Sequence, residues 1–167
     1  MRRAPAQIGD PVDAVWTPAL IVDLDAFDAN IRSLASFASA HGVGLRPHAK
    51  THKSADISKI QMAHGAIGVC CQKLSEAEAL VAGGVSDVLI SNEVVGERRL
   101  DELAGLAGKA RMLVCVDDPA TLAAMSRACV RHGTTLEVLV EIDVGQGRCG
   151  VAPGHEALVL AQSIDAL

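Results

Sequence analysis

Aromatic residues are nearly absent from this chain, which has no Tyr, one Trp and two Phe in 167 residues. Single-stranded nucleic acid is held by stacking on aromatic rings, and nucleic-acid binding of any kind needs a basic footprint. Few rings and a net charge of −5 supply neither, so nucleic acid is excluded as a partner. Long apolar runs are missing too. No stretch approaches the roughly 18 uninterrupted apolar residues of a membrane span. Arg2 and Arg3 are followed by no apolar segment of the secretory-signal kind. No membrane association and a cytoplasmic location are therefore expected. The cysteines, Cys70, Cys71, Cys115, Cys129 and Cys149, are odd in number and contain no Cys-x-x-Cys spacing. A disulfide or zinc framework is not expected from them, and buried thiols are the plain reading.

Half of the residues are apolar, enough for one domain with a real core. Residues 1–15 read as a flexible start and residues 16–167 as the folded unit. After a short apolar run at Ala19–Val22, Phe27, Ile31, Leu34 and Ala38 recur at helical spacing within 25–41, with Asp25 as the N-cap and Gly42 as the stop. The same grammar repeats down the chain. Strands are expected at 45–50, 68–72, 88–91, 112–116 and 136–142. Helices fall between them at 54–64, 75–82, 97–107 and 119–132, and another begins near His155. Ser75 and Glu78 have capping-box spacing, and Pro119 and Gly133 bracket the helix at 119–132.

About five parallel strands with flanking helices make an α/β fold, either an open doubly wound sheet or a closed eight-stranded barrel. The expected strands give way in turn to Lys50, Gln72, Asn92, Asp117 and Asp143. In a barrel those ends ring one mouth, where the chemistry of such folds resides. This regularity favours a partial (β/α)8 barrel of the TIM type.

Leu45-Arg46-Pro47-His48-Ala49-Lys50-Thr51-His52-Lys53 is the most informative stretch. If it is extended throughout, Arg46, His48, Lys50 and His52 share one face. A free lysine, with a pKa of about 10.4, is a poor nucleophile until burial or positive neighbours disfavour its ammonium. Such neighbours surround Lys50, and lysines activated this way form imines with carbonyl compounds, pyridoxal phosphate among them. The residues alone leave a second reading open, that of surface charges at a basic strand end. Pro47, which lacks a backbone donor, suits an edge or a strand terminus.

Residues 145–150, Gly-Gln-Gly-Arg-Cys-Gly, form a literal G-x-G-x-x-G after a strand and before a helix. A dinucleotide fingerprint would open the first strand-turn-helix unit and carry an acidic residue about 20 residues on. Asp165 comes too early. The glycines still permit a tight turn, and it holds Arg148, a permanently charged donor suited to a phenolate-like oxygen.

Residues 46–53, Gly68-Val69-Cys70-Cys71-Gln72-Lys73 with Ser75-Glu76-Ala77, Ile90-Ser91-Asn92-Glu93 and residues 140–151 together closely resemble the D-threonine aldolases. These group with 3-hydroxy-D-aspartate aldolases and eukaryotic-type D-serine dehydratases among the pyridoxal phosphate enzymes with the alanine racemase barrel. The likeness runs almost continuously from Trp16 to Gly150. It implies that Lys50 is the Schiff-base lysine, that Arg148 contacts the phenolic oxygen of pyridoxal 5′-phosphate, and that Gln72 lies near the ring. It gives His48, His52 and Lys53 the role of setting the electrostatics of Lys50. The implied reaction is cleavage of D-threonine and related β-hydroxy-D-amino acids to glycine and an aldehyde.

Members of that group are about twice as long as this chain. By the same resemblance, the rest of their length completes the barrel, supplies a glycine-rich phosphate loop and adds a β-domain with His and Asp ligands for a divalent metal (Mn or Mg type). No metal ligand is assigned here, and the chain reads as an N-terminal portion that is inactive and poorly soluble alone. The implied partner is a small D-amino acid, with a homodimer allowed for the full-length protein. Alternatives are a D-serine dehydratase, a 3-hydroxy-D-aspartate aldolase, or a non-catalytic carrier of pyridoxal phosphate.

Overall fold

The computed structural model describes residues 6–167. Residues 1–5 of the expected flexible start lie outside the described residues. Val12–Ala14 form a 3-10 turn with exposed or half-exposed side chains. Four strands form one parallel sheet in chain order: β1 (Val69–Cys71), β2 (Asp87–Glu93), β3 (Arg111–Val116) and β4 (Glu137–Val140). Helices α1 (Leu24–Ala40) and α2 (Ala55–Ala63) precede the sheet. Then α3 (Leu74–Ala82), α4 (Glu97–Ala107), α5 (Pro119–His132) and α6 (His155–Asp165) each follow a strand. Sequential parallel neighbours joined by helices are the wall of a barrel.

The first expected strand is not a full one. Residues 45–49 run beside β1 but make a single bridge, His48 opposite Cys70. Ile67 N–H donates to Leu45 O at 2.9 Å, Cys70 N–H to Pro47 O at 2.7 Å, and Ala49 N–H to Cys70 O at 2.6 Å. Pro47 contributes no donor, and a turn begins at Ala49, so the ladder stops.

Most helix ends follow local chemistry. Asp118 Oδ2 accepts Thr121 N–H at 2.6 Å ahead of Pro119, and Gly133 closes α5 in the left-handed region at φ +63°. Two expected caps are displaced. Asp23, not Asp25, caps α1, its Oδ1 accepting Ala26 N–H at 2.9 Å. The Ser75/Glu78 box does not form because α3 starts at Leu74. Glu76 in its first turn accepts the N–H groups of Gln72 (2.9 Å) and Lys73 (3.3 Å) instead.

The core lies between the sheet and its helices. Val69, Cys71, Val88, Ile90, Met112 and Val114 alternate along three strands toward α3, α4 and α5, and none is more than 1 % exposed. Leu80, Leu100, Leu103, Met125 and Ala128 meet them from the helices. Burial of each large aliphatic side chain contributes about 1.5–3 kcal/mol. The opposite, lumen-side face opens progressively, from Cys70 and Leu113 at 8 % exposed to Leu139 at 40 %. Helix α1 buries only Ala38, and Leu34 on its expected inner face is exposed.

Ion pairs cross the lumen floor. Arg46 Nη1 donates to Asp87 Oδ1 at 2.5 Å, and Arg111 Nη1 donates to Asp87 Oδ2 at 2.8 Å. Arg111 also donates to both carboxylate oxygens of Glu137, at 2.5 and 2.6 Å. A Cβ on Gly68 would overlap the Arg46 and Asp87 side chains, so only glycine fits beneath this bridge.

Candidate active site

Every expected site residue lies at or beside the C-terminal ends of the strands. Ala49 is buried and bonded to Cys70, and the chain then turns, Lys53 N–H closing back on Ala49 O at 2.8 Å. Lys50 stands exposed in that turn. The period-two expectation thus holds for Arg46 and His48 but ends before Lys50 and His52. Lys53 is the one non-glycine residue with positive φ (+53°) among the described residues, a conformation that costs roughly 1–2 kcal/mol in an L-residue. Its ammonium reaches Glu76 Oε1 at 3.2 Å. Burial alone would raise the Glu76 carboxyl. The Gln72 N–H, the Lys53 ammonium and the Lys73 N–H more than offset it, holding Glu76 below the usual carboxylate range.

The two histidines are fixed in one tautomer. Lys50 N–H donates to His48 Nδ1 at 3.3 Å, and Ser54 N–H donates to His52 Nδ1 at 3.1 Å, so each proton sits on Nε2. His48 Nε2 faces Ser91 Oγ at 3.4 Å, and that hydroxyl donates to Cys71 O at 3.2 Å. Desolvation lowers both imidazole pKa values, and for His48 the Lys50 charge adds to it. Both rings are therefore neutral at pH 7, while Arg46 is paired with Asp87 and Lys53 with Glu76. Carboxylates thus pair with Arg46 and Lys53, and desolvation disfavours charge on both imidazoles. Among the described residues no hydrogen-bond partner reaches the buried His52 Nε2, at the base of the Lys50 turn.

Gln72 directly follows β1 and, with Ser75, Asn92, Val95 and Arg99, lines a cleft of about 440 Å³ between the turns leading into α3 and α4. Neither Lys50 nor Arg148 lines it. The register of β2 against β3 skips from Ile90–Val114 to Glu93–Cys115, leaving Ser91 and Asn92 unpaired on that side. Such irregularities re-aim side chains beside active sites. This one brings Glu93 together with Glu141 and Cys149, whose potential ligand atoms lie within 4.8 Å of one another.

Arg148 lies in the loop after β4. Main-chain bonds from Asp143 N–H to Val151 O and from Val151 N–H to Glu141 O, both 2.9 Å, tie the loop shut. Asp143 Oδ1 accepts the N–H groups of Gly145 (2.9 Å) and Gly147 (3.0 Å), and these amides hold its pKa below the ordinary aspartate value. The G-x-G-x-x-G amides are thus occupied by the loop's own carboxylate, a physical reason why this segment is no phosphate cradle. Asp117, at the end of β3, accepts Gly150 N–H at 3.0 Å. Arg148 itself is 60 % exposed, with Nη2 4.0 Å from Glu141 Oε1 and Nε donating to Cys149 Sγ at 3.4 Å.

Lys50 and Arg148 flank the sheet, with β1, β2 and β3 and then β4 between them. At about 4.8 Å per strand only a curved wall brings the two toward one ligand, as a barrel does. Glu76, Glu93 and Glu141 were not singled out from sequence. A helix starting at Leu74 would have revealed Glu76, whereas the register skip that aims Glu93 has no local sequence signal.

A family model described as alanine racemase, N-terminal domain, matches residues 22–167. The chain is 52 % identical over 158 residues to a D-threonine aldolase from Arthrobacter sp., covering 95 % of this chain and 42 % of that protein. It is 47 % identical over 161 residues to a 3-hydroxy-D-aspartate aldolase from Paracoccus denitrificans, again covering 95 % of this chain and 42 % of that protein. The crystal structure of D-threonine aldolase from Filomicrobium marinum superposes with a TM-score of 0.96 at 53 % identity, over 98 % of this chain and 44 % of the other. The chain spans less than half the length of these relatives.

Proposed function

The chain belongs to the alanine racemase N-terminal domain family, a pyridoxal-phosphate-dependent family, and from that premise we propose that it forms the lysine-bearing part of a carbon–carbon lyase. The substrates are D-threonine and related β-hydroxy-D-amino acids, and the products are glycine and an aldehyde. The observation that carries this reading is the placement of Lys50. An exposed amine emerges from a turn anchored by buried Ala49, on the same rim as Arg148.

The donor set fits the cofactor. Lys50 supplies a primary amine for its carbonyl, Arg148 a permanent positive charge for its phenolic oxygen, and His52 Nε2–H an unspent buried donor nearby. When bound, pyridoxal phosphate supplies an electron sink for cleavage of a bond at the substrate α-carbon. The chain's own part is attachment through Lys50, charge placement by Arg148, and a neutral polar surface from His48, Ser91 and Gln72. In the reaction the β-hydroxyl gives up its proton, the α–β bond breaks with its electron pair moving to the α-carbon, and that carbon is reprotonated. We assign the divalent metal, and a base associated with it, to the length that the relatives have in addition to this segment.

Borohydride reduction in the presence of pyridoxal phosphate, followed by peptide mass spectrometry, tests the reading. Added mass is expected on the peptide containing Lys50 and is absent from Lys50→Ala. Mass on another peptide, or none, rejects the attachment point. A second reading, 3-hydroxy-D-aspartate cleavage, draws on the 47 % identity to an aldolase of that name. Product analysis separates the two: an aldehyde from D-threonine supports the first, and glyoxylate from 3-hydroxy-D-aspartate the second. Pyruvate and ammonia from D-serine would point to a dehydratase, and cofactor uptake without turnover to a carrier.

A further inference from the structure

The strongest unused geometry lies around Arg148. Arg148 is exposed and its nearest carboxylate, on Glu141, is 4.0 Å away, so direct side-chain contacts hold it weakly. Its backbone is held far more firmly. Asp143 fastens the loop from within through the amides of Gly145 and Gly147, and Asp117 reaches from the neighbouring strand end to the amide of Gly150. Gly150 sits at φ +101°, and a Cβ there would lie 2.5 Å from Asp143 N and 2.7 Å from Ile142 C. The backbone at Gly150 is thus pressed against the chain just beyond β4. The amides of Gly145 and Gly147 before Arg148, and of Gly150 after it, are consequently bonded to two carboxylates, Asp143 and Asp117.

We propose that Asp117 and Asp143 are positioning residues that together set the height and direction of Arg148 at the barrel mouth. Asp143 sets the shape of the loop, and Asp117 ties that shape to β3. The inference rests on the reading of Arg148 as the partner of the cofactor's phenolic oxygen. The distinction from a merely structural role is that the tie is aimed at one guanidinium. Loss of either carboxylate is therefore expected to act on the bound chromophore through Arg148.

The test uses the full chain loaded with pyridoxal phosphate and follows its visible absorbance band as pH is varied. A guanidinium on the phenolic oxygen favours the ionised, visibly absorbing form. R148K is expected to move intensity from the visible band to the near ultraviolet and to shift the titration. D117A and D143A, which remove the acceptor oxygens, are expected to shift it in the same direction, and D117A combined with R148K to shift it no further than R148K alone. Thermal melts of each variant identify any that fail to fold. Amide hydrogen exchange at Gly150 in D117A, and at Gly145 and Gly147 in D143A, should quicken, showing directly that the ties were lost. If R148K changes the spectrum while D117A and D143A leave it at the wild-type position, the positioning role is overturned and the Arg148 reading stands. If R148K leaves the spectrum unchanged, or the wild-type chain takes up no cofactor, the Arg148 reading fails and takes the positioning role with it.

Discussion

Lys53 reaches Glu76 across 3.2 Å, and this contact joins the turn that presents Lys50 to the first turn of α3. Glu76 also caps the N–H groups of Gln72 and Lys73, so one carboxylate ties two rim segments together. Glu76→Ala is expected to destabilise the chain by about 1–2 kcal/mol, the scale of a lost helix N-cap. Because its pKa is depressed in the folded state, the stabilisation is complete above the unfolded carboxylate value and is lost as pH falls through the lower folded one. Denaturant unfolding of wild type and variant across that acidic range checks both statements. A variant curve parallel to wild type throughout would remove Glu76 from the account.

At the opposite end of the sheet, Asp87 stands between two guanidinium groups. Breaking a buried pair costs about 3–5 kcal/mol because the partner charges are left behind. Arg46 is largely enclosed, whereas Arg111 is half exposed and keeps Glu137, which puts Asp87→Asn at the low end, about 3 kcal/mol. The same change should leave borohydride trapping at Lys50 intact wherever the chain remains folded, since floor and mouth are at opposite strand ends. Melting temperature and trapped mass, measured on one preparation, decide it.

The histidines give a second pH signature with its own sign. Their folded pKa values lie below the reference of 6.5, so the unfolded chain binds protons first. Stability is therefore complete above about pH 6.5 and declines as pH falls through the window between that value and the lowered folded ones. His48→Gln and His52→Gln, which keep an amide donor, should flatten this part of the profile. Unfolding free energies at about pH 8 and about pH 5.5 provide the comparison. An equal decline in the double variant counts against the histidines as its source.

The α/β alternation was legible because each outer strand face is a short apolar run and helix stops such as Gly42, Gly65 and Gly133 follow it at regular intervals. The rim was legible for a related reason, since the strand-end polar residues Gln72, Asn92, Asp117 and Asp143 mark it in chain order. What could not be read locally depends on partners distant in sequence. Arg46 finds Asp87 41 residues on and is paired there at the lumen floor. The Ser75/Glu78 spacing was a valid box two residues out of phase with a helix whose start is set by buried Leu74. Glu93 depends on a strand irregularity, and its meeting with Glu141 and Cys149 appears only once the sheet has formed.

The reactivity of the thiols reports on the integrity of the sheet. Burial pushes Cys71 up to about 12, and burial with the Glu141 carboxylate does the same for Cys115. The nucleophile is the thiolate, so both should resist alkylation at neutral pH for as long as the sheet holds. Cys129 and Cys149 are only partly enclosed. Burial raises Cys129, and for Cys149 the lowering effect of Arg148 is outweighed by desolvation and Glu93. Exposure, more than acidity, then sets the order, and Cys129 and Cys149 are expected to be labelled before Cys71 and Cys115. Removing Glu93 should single out Cys149, because its carboxylate is one of the groups holding that thiol up. Glu93→Gln is thus expected to quicken labelling at Cys149 and leave Cys129 unchanged, as read by peptide mass spectrometry over time. Equal acceleration at both sites would show general loosening of the fold in place of the local electrostatic contact.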